Sequence, residues 1–169
     1  WVCKRAIACS AEAMEVLGGN GYIESSALAR IYREAPVNSI WEGSGNVMCL
    51  DVLKALQREP DLRDALWQDL QRMAMDDAAV QQALQRLHTQ WQAFAQDAWA
   101  QQAQARQWVQ QLVLVAQAGL MRLHAAPARA DAFVASRLGP QANLGVMGAS
   151  PLAKAQISAI LSASLQLQK

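Results

Sequence analysis

One carboxylate in this 169-residue chain stands in a setting suited to chemistry. Glu42 follows Ile40-Trp41 and precedes Gly43-Ser44-Gly45-Asn46, so an acid lies between a large indole and a glycine-containing turn. Apolar neighbours raise a carboxyl pKa by desolvation, and a raised pKa suits a general base acting near neutral pH. The plainer role for the same residue is to cap a helix start or to pair with Arg30 or Arg33, and on physics alone that role is the commoner one. A second candidate is the run Gly18-Gly19-Asn20-Gly21. A helix C-cap needs one glycine; three in four residues mean that the chain turns sharply or that something approaches its backbone closely. The third is a charge imbalance. Residues 101–169 carry Arg106, Arg122, Arg129, Arg137, Lys154 and Lys169 against Asp131, a sum of +5, while residues 1–60 sum to −1 and residues 61–100 to −3. Lys54 and Arg58, four apart on one helix face, join Arg122, Arg129 and Arg137 as candidate phosphate contacts. Basic residues this dispersed are usually a solvated surface, and the chain's pI of 7.9 is below that of typical nucleic-acid-binding domains.

Other chemistries lack their residues. Two histidines, His88 and His124, with no HExxH spacing give no basis for a metal site. Neither GxGxxG nor a Walker sequence is present, and Gly43-Ser44-Gly45 is too short for a nucleophile elbow. The odd set Cys3, Cys9 and Cys49, without CxxC spacing, reads as reduced, small core residues of a cytoplasmic protein. No apolar run is long enough to span a bilayer, and no charged n-region precedes an apolar core at the start. A chain beginning at Trp1 is expected to be a piece of a longer parent.

The elements that must hold these residues are helices. Hydrophobic residues make up 53% of the chain but aromatics only 6%, with 33 alanines, 20 glutamines and one threonine. Such a composition predicts an all-α helical bundle. The first helix is expected from Val2 to Leu17, with Cys3, Ile7, Ser10, Met14 and Leu17 as its apolar stripe. A short helix follows, capped by Ser25 or Ser26 and ended near Glu34 by Pro36. Ser44 or Asn46 caps a helix carrying Val47, Leu50, Leu53 and Leu56. Arg58-Glu59-Pro60-Asp61 marks a boundary, giving domains over 1–58 and 59–169. The glycine- and proline-free stretch 62–117 is too long for one ordinary helix and is expected to break at Met75-Asp76-Asp77 and near Asp97 to Gln102. Leu84, Leu87, Trp91, Phe94 and Ala98 form one core face, and Trp108, Leu112, Val115, Gly119 and Arg122 another; Trp67 and Trp99 are also expected inside. Further helices run from Pro127 to Leu138 and beyond Ser150-Pro151.

Three stretches, in order, resemble the C-terminal helical domain of the acyl-CoA dehydrogenase family: Glu15-Val16-Leu17-Gly18-Gly19-Asn20-Gly21-Tyr22, Arg30-Ile31-Tyr32-Arg33-Glu34-Ala35, and Ile40-Trp41-Glu42-Gly43-Ser44. The wording from Tyr32 to Asn46, and Ala130 to Gly139 later, is most similar to the AidB-like branch, associated with the adaptive response to DNA alkylation. The resemblance implies residues 1–58 as part of that family's four-helix domain and 59–169 as an AidB-type extension. It implies Glu42 as the base that removes the α-proton of an acyl-CoA thioester while FAD accepts a hydride. Gly43 and Trp41 then line the acyl site. Ser44, Gly45 and Asn46 contact the flavin cofactor, and Glu15, Val16, Leu17, Gly18 and Gly19 touch the FAD of a neighbouring subunit in a homotetramer. Serine for threonine at 44, asparagine at 46, glutamate at 15 and tryptophan at 41 depart from the family pattern. The parts that hold most of the flavin are not in this sequence, so this piece is expected to be inactive alone. DNA binding by the basic residues and a purely oligomerising role are the alternatives.

Overall fold

The long alanine- and glutamine-rich stretch folds as helices because each candidate break carries its own start signal. The computed structural model describes residues 1–169 except 42, 95, 96, 141, 143, 144, 150, 151 and 167–169, and the side chains of 165 and 166. It is 81% helical, with no strand among the described residues. The helices are α1 (Val2–Val16), α2 (Gly19–Tyr22), α3 (Ala27–Glu34), α4 (Gly45–Arg58), α5 (Pro60–Ala74), α6 (Ala78–Phe94), α7 (Ala98–His124), α8 (Pro127–Arg137) and α9 (Lys154–Gln166), with a 3-10 helix over Ala35–Ser39. The chain divides into two compact units, Trp1–Lys54 and Ala55–Lys169, and α4 runs through the boundary.

Within the second unit, α5, α6 and α7 pack on one another, α8 packs on α7 and α9 on α8. Proline opens α5 and α8, where a missing N–H costs nothing. The Asp77 carboxylate accepts from the Ala79 and Val80 N–H groups at 2.8 and 3.0 Å and starts α6. Asp97 does the same for Trp99 and Ala100 at 2.9 and 3.0 Å and starts α7. Aspartate is apt here because its side chain satisfies N–H donors that a helix start leaves open. The core centres on Trp108, 1% exposed. Its ring meets those of Trp67, Trp91 and Phe94 at centroid distances of 6.3, 5.1 and 6.4 Å, and its Nε1–H donates to the Leu87 carbonyl at 3.1 Å. Alanine fills much of the rest: Ala74, Ala83, Ala105, Ala118, Ala130 and Ala132 are all buried. Small side chains let helix axes approach closely, and Gly119 takes this furthest. A Cβ built there would stand 2.7 Å from the Met73 Cβ on α5.

Several expectations need correction. Trp99 is 78% exposed, because it stands in the first turn of α7 beside its cap. Ala98 opens α7 and is exposed, so it does not extend the α6 face. Cys9 is exposed and Cys3 and Cys49 are half-buried, so none is a fully buried core residue. The short helix does end at Glu34, just before Pro36, and what the sequence did not announce is the 3-10 helix Ala35–Ser39 that follows, where the fixed φ of proline fits. Asn46 lies inside α4, which begins at Gly45. The Ser150-Pro151 helix start lies outside the described residues.

Candidate functional site

The first unit presents the glycine run as a built turn. The last turn of α1 closes with the Leu17 and Gly18 N–H groups bonded to the Met14 and Glu15 carbonyls at 3.1 and 2.9 Å. Gly18 then takes φ +57°, a conformation that L side chains rarely adopt, and turns the chain into α2. Gly21 is buried against α1: a Cβ there would stand 2.3 Å from the Met14 carbonyl oxygen, which is backbone and cannot give way. Gly19 differs from both. Its φ is not in the left-handed region, and among the described residues, its own helix and neighbours aside, no atom lies within 4 Å of a Cβ built on it. Glu15, Val16, Leu17, Gly18 and Gly19 are all exposed, Val16 by 83%.

After α2, the Ser26 hydroxyl accepts from the Leu28 N–H at 3.2 Å and starts α3. The Arg33 guanidinium pairs with Glu24 through both oxygens, at 2.5 and 3.0 Å. Hydrogen bonding and charge from Arg33 hold the exposed Glu24 carboxyl below its usual range. Arg33 therefore has a partner other than Glu42. Met14, Tyr22, Ile23, Ala29 and Tyr32 line an apolar groove of about 470 Å³ beside this pair.

Glu42 itself lies outside the described residues. Its flanks are described. The Ile40 and Trp41 N–H groups both donate to the Val37 carbonyl, at 2.9 and 3.0 Å, and Trp41 is 73% exposed. Gly43 takes φ +128°, which explains glycine at that position. Ser44 is exposed, and its carbonyl accepts from Met48 N–H at 3.0 Å as α4 begins. The Asn46 side chain is exposed one residue into α4. Two side chains missed by the sequence reading also belong to this region. Lys4 Nζ donates to Ser39 Oγ at 3.2 Å, and buried Ser39 donates on to the Pro36 carbonyl at 3.0 Å. No spacing signals a pair thirty-five residues apart.

The basic residues are differently engaged. Arg122 is held by Asp77 and, at 2.5 Å, by Asp131. Arg137 stacks over the Phe133 ring and donates to Ser136 Oγ at 2.8 Å. Arg129 lines an apolar groove with Leu120, Met121, His124 and Phe133. Lys54 lies 3.8 Å from Asp51, and Arg58 is exposed. Among the described residues no three His, Cys, Asp or Glu side chains come together as a metal site, and no helix is long and apolar enough to cross a membrane.

Comparison with known proteins bears on the first unit most directly. Residues 1–57 match the family model of the acyl-CoA dehydrogenase C-terminal domain. A putative acyl-CoA dehydrogenase AidB from Escherichia coli (strain K12) is 42% identical over 132 residues, 78% of this chain and 23% of its own length. Acyl-CoA dehydrogenase family member 11 from Caenorhabditis elegans is 39% identical over 59 residues, 35% of this chain and 10% of its own. The chain thus spans less than a quarter of the length of these relatives. The match over residues 1–57 and the kinship over most of the chain support an AidB-like acyl-CoA dehydrogenase C-terminal domain.

Proposed function

We propose that the chain is the C-terminal part of an FAD-dependent, acyl-CoA dehydrogenase-like flavoprotein in which Glu42 removes the α-proton of an acyl-CoA thioester. FAD, when bound by the intact protein, supplies the hydride acceptor. The observation that carries this reading is the difference between the glycines. Gly18 is explained by its positive φ and Gly21 by the α1 backbone, but nothing among the described residues requires glycine at 19. A backbone left bare and open suits close approach by a group from outside, such as the dinucleotide of a neighbouring subunit. Ser44 and Asn46 fit the same role: both are exposed polar side chains on the flank of Glu42. Trp41 and Gly43 border the acyl site in this reading, and the bulk of Trp41 shortens the chain that it accepts.

The first unit also supports a partnered state. Among its described hydrophobic residues only Ala29, Ala35 and Leu53 are buried, while Val16, Leu17, Tyr22, Ile40, Trp41 and Met48 are exposed. So many exposed apolar side chains in so few residues support the reading that a partner covers part of this surface. The piece alone is inactive in this account, and oligomerisation is part of its role.

The test is anaerobic mixing of acyl-CoA with the intact, FAD-loaded protein, following the flavin absorbance. Bleaching by the wild type and its loss in Glu42→Gln are expected. Bleaching that survives the substitution refutes Glu42 as the base. A second reading, contact with DNA, is favoured by the +5 balance after residue 100. Within the second unit it rests on Arg58, Arg129 and Arg137; Arg122 is held by two carboxylates. Salt-dependent duplex binding that weakens in Arg129→Ala/Arg137→Ala is its expected outcome; unchanged binding refutes it.

A further inference from the structure

We infer that Lys4 is a positioning residue for the segment that carries Glu42; the inference rests on the reading of Glu42 as the base. Lys4 lies on α1, far in sequence from that segment, yet it touches both of its flanks. Its Nζ donates to Ser39 Oγ, three residues before Glu42. Its stem lies over Gly45, three residues after: a Cβ built on Gly45 would stand 3.0 Å from Lys4 Cε. One side chain therefore meets the end of the 3-10 helix and the start of α4. The ammonium end is anchored, because Ser39 is buried and its hydroxyl is itself fixed on the Pro36 carbonyl at 3.0 Å. A Cβ at 45 would press on the lysine stem near its end, which a flexible side chain accommodates by a small shift.

A base must be held within a fraction of an ångström of the proton that it removes, and misplacement by about 1 Å costs on the order of a hundredfold in rate. Ser39 and Gly45 are six positions apart in sequence, so where these two residues are held bounds the reach of the chain between them. Lys4 stands beside both. It acts through the backbone and needs no contact with substrate or cofactor.

The experiment uses the intact, FAD-loaded protein with Lys4→Met, Lys4→Arg and Ser39→Ala. Methionine keeps an apolar stem and removes the donor; arginine restores a donor. Two quantities are read: amide hydrogen exchange over residues 39–46, and kcat with KM for an acyl-CoA. Exchange is expected to quicken about fivefold or more in Lys4→Met and Ser39→Ala, with residues 27–34 unchanged and Lys4→Arg close to wild type. The kcat should fall about ten- to a hundredfold, with KM within about twofold and no further loss in the double variant Lys4→Met/Ser39→Ala. Unchanged exchange, or quickened exchange with undiminished kcat, overturns the inference. A wild type that never turns over, with exchange responding as stated, refutes Glu42 as the base and leaves the hold of Lys4 on the segment standing.

Discussion

Asp77 carries two loads in the second unit, and substitution can separate them. Its Oδ1 caps α6 by accepting from Ala79 and Val80, and its Oδ2 accepts from Arg122 Nε at 2.7 Å. Arg122 is bonded at its other side to Asp131 on α8, so one guanidinium links the start of α6 to α7 and α8. The Asp77 side chain is 9% exposed, so water competes little for its oxygens. Losing the cap costs about 1 kcal/mol. Losing the charged hydrogen bond, with Arg122 still half-held by Asp131, costs about 1–3 kcal/mol. Asp77→Ala should therefore lower unfolding free energy by about 2–4 kcal/mol. Asp77→Asn keeps a good cap and should lose only the second part, about 1–3 kcal/mol. Urea denaturation followed by circular dichroism measures both. Burial pushes the Asp77 carboxyl up, but hydrogen bonds from Val80 and Arg122 and the charge of Arg122 outweigh it, so the pKa is lowered on folding. The linked stability is present above the ordinary aspartate value and is lost as pH falls through the lowered one. Wild type should lose more stability than Asp77→Asn as pH drops below about 4. Equal losses in the alanine and asparagine variants, or no difference in acid sensitivity, would refute the division.

Other substitutions probe the packing. Gly119→Ala forces a Cβ toward the Met73 Cβ and should cost about 1–3 kcal/mol, relieved by Met73→Gly but not by Met73→Ala, as thermal melts would report. Trp108→Phe keeps an aromatic ring but loses the Nε1–H bond to the Leu87 carbonyl, which retains its helical donor, and leaves a smaller ring at the centre of the core, for about 1–3 kcal/mol by denaturant titration. Gly21→Ala drives a Cβ into the α1 backbone and should disrupt the turn, seen as faster amide exchange across α2. Gly19→Ala meets no atom among the described residues beyond its own helix and neighbours, so folding should be unchanged while FAD affinity of the intact assembly falls; unchanged affinity would refute the role given to Gly19.

Much of the helical order was legible because the chain punctuates itself. Asp77, Asp97, Pro60 and Pro127 each start a helix by a local rule that needs no tertiary knowledge. What escaped depends on contacts between distant residues. The single turn α2 exists because Gly21 lies on the backbone of Met14, and no pattern of four residues announces that. The Arg122 link joins residues forty-five and nine positions apart. Trp99 looked like core because indoles usually are, but its place beside the Asp97 cap turns it outward. At the candidate site the glycine run was readable as either a turn or a close approach, and the three glycines divide between the two. Lys4 was invisible there, since its partners are set by how α1 packs on the 3-10 helix. The role of Glu42 came from resemblance to a family, not from periodicity or composition.

The central claim is that Glu42 takes a proton from the α-carbon of an acyl-CoA. The most direct measurement is deuterium incorporation at that carbon when the intact, FAD-loaded protein is incubated with acyl-CoA in D2O, read by mass spectrometry. Incorporation by the wild type, abolished in Glu42→Gln while FAD remains bound, is the predicted result. Incorporation at an undiminished rate in Glu42→Gln, or none in a wild type that holds FAD and binds the thioester, would contradict it.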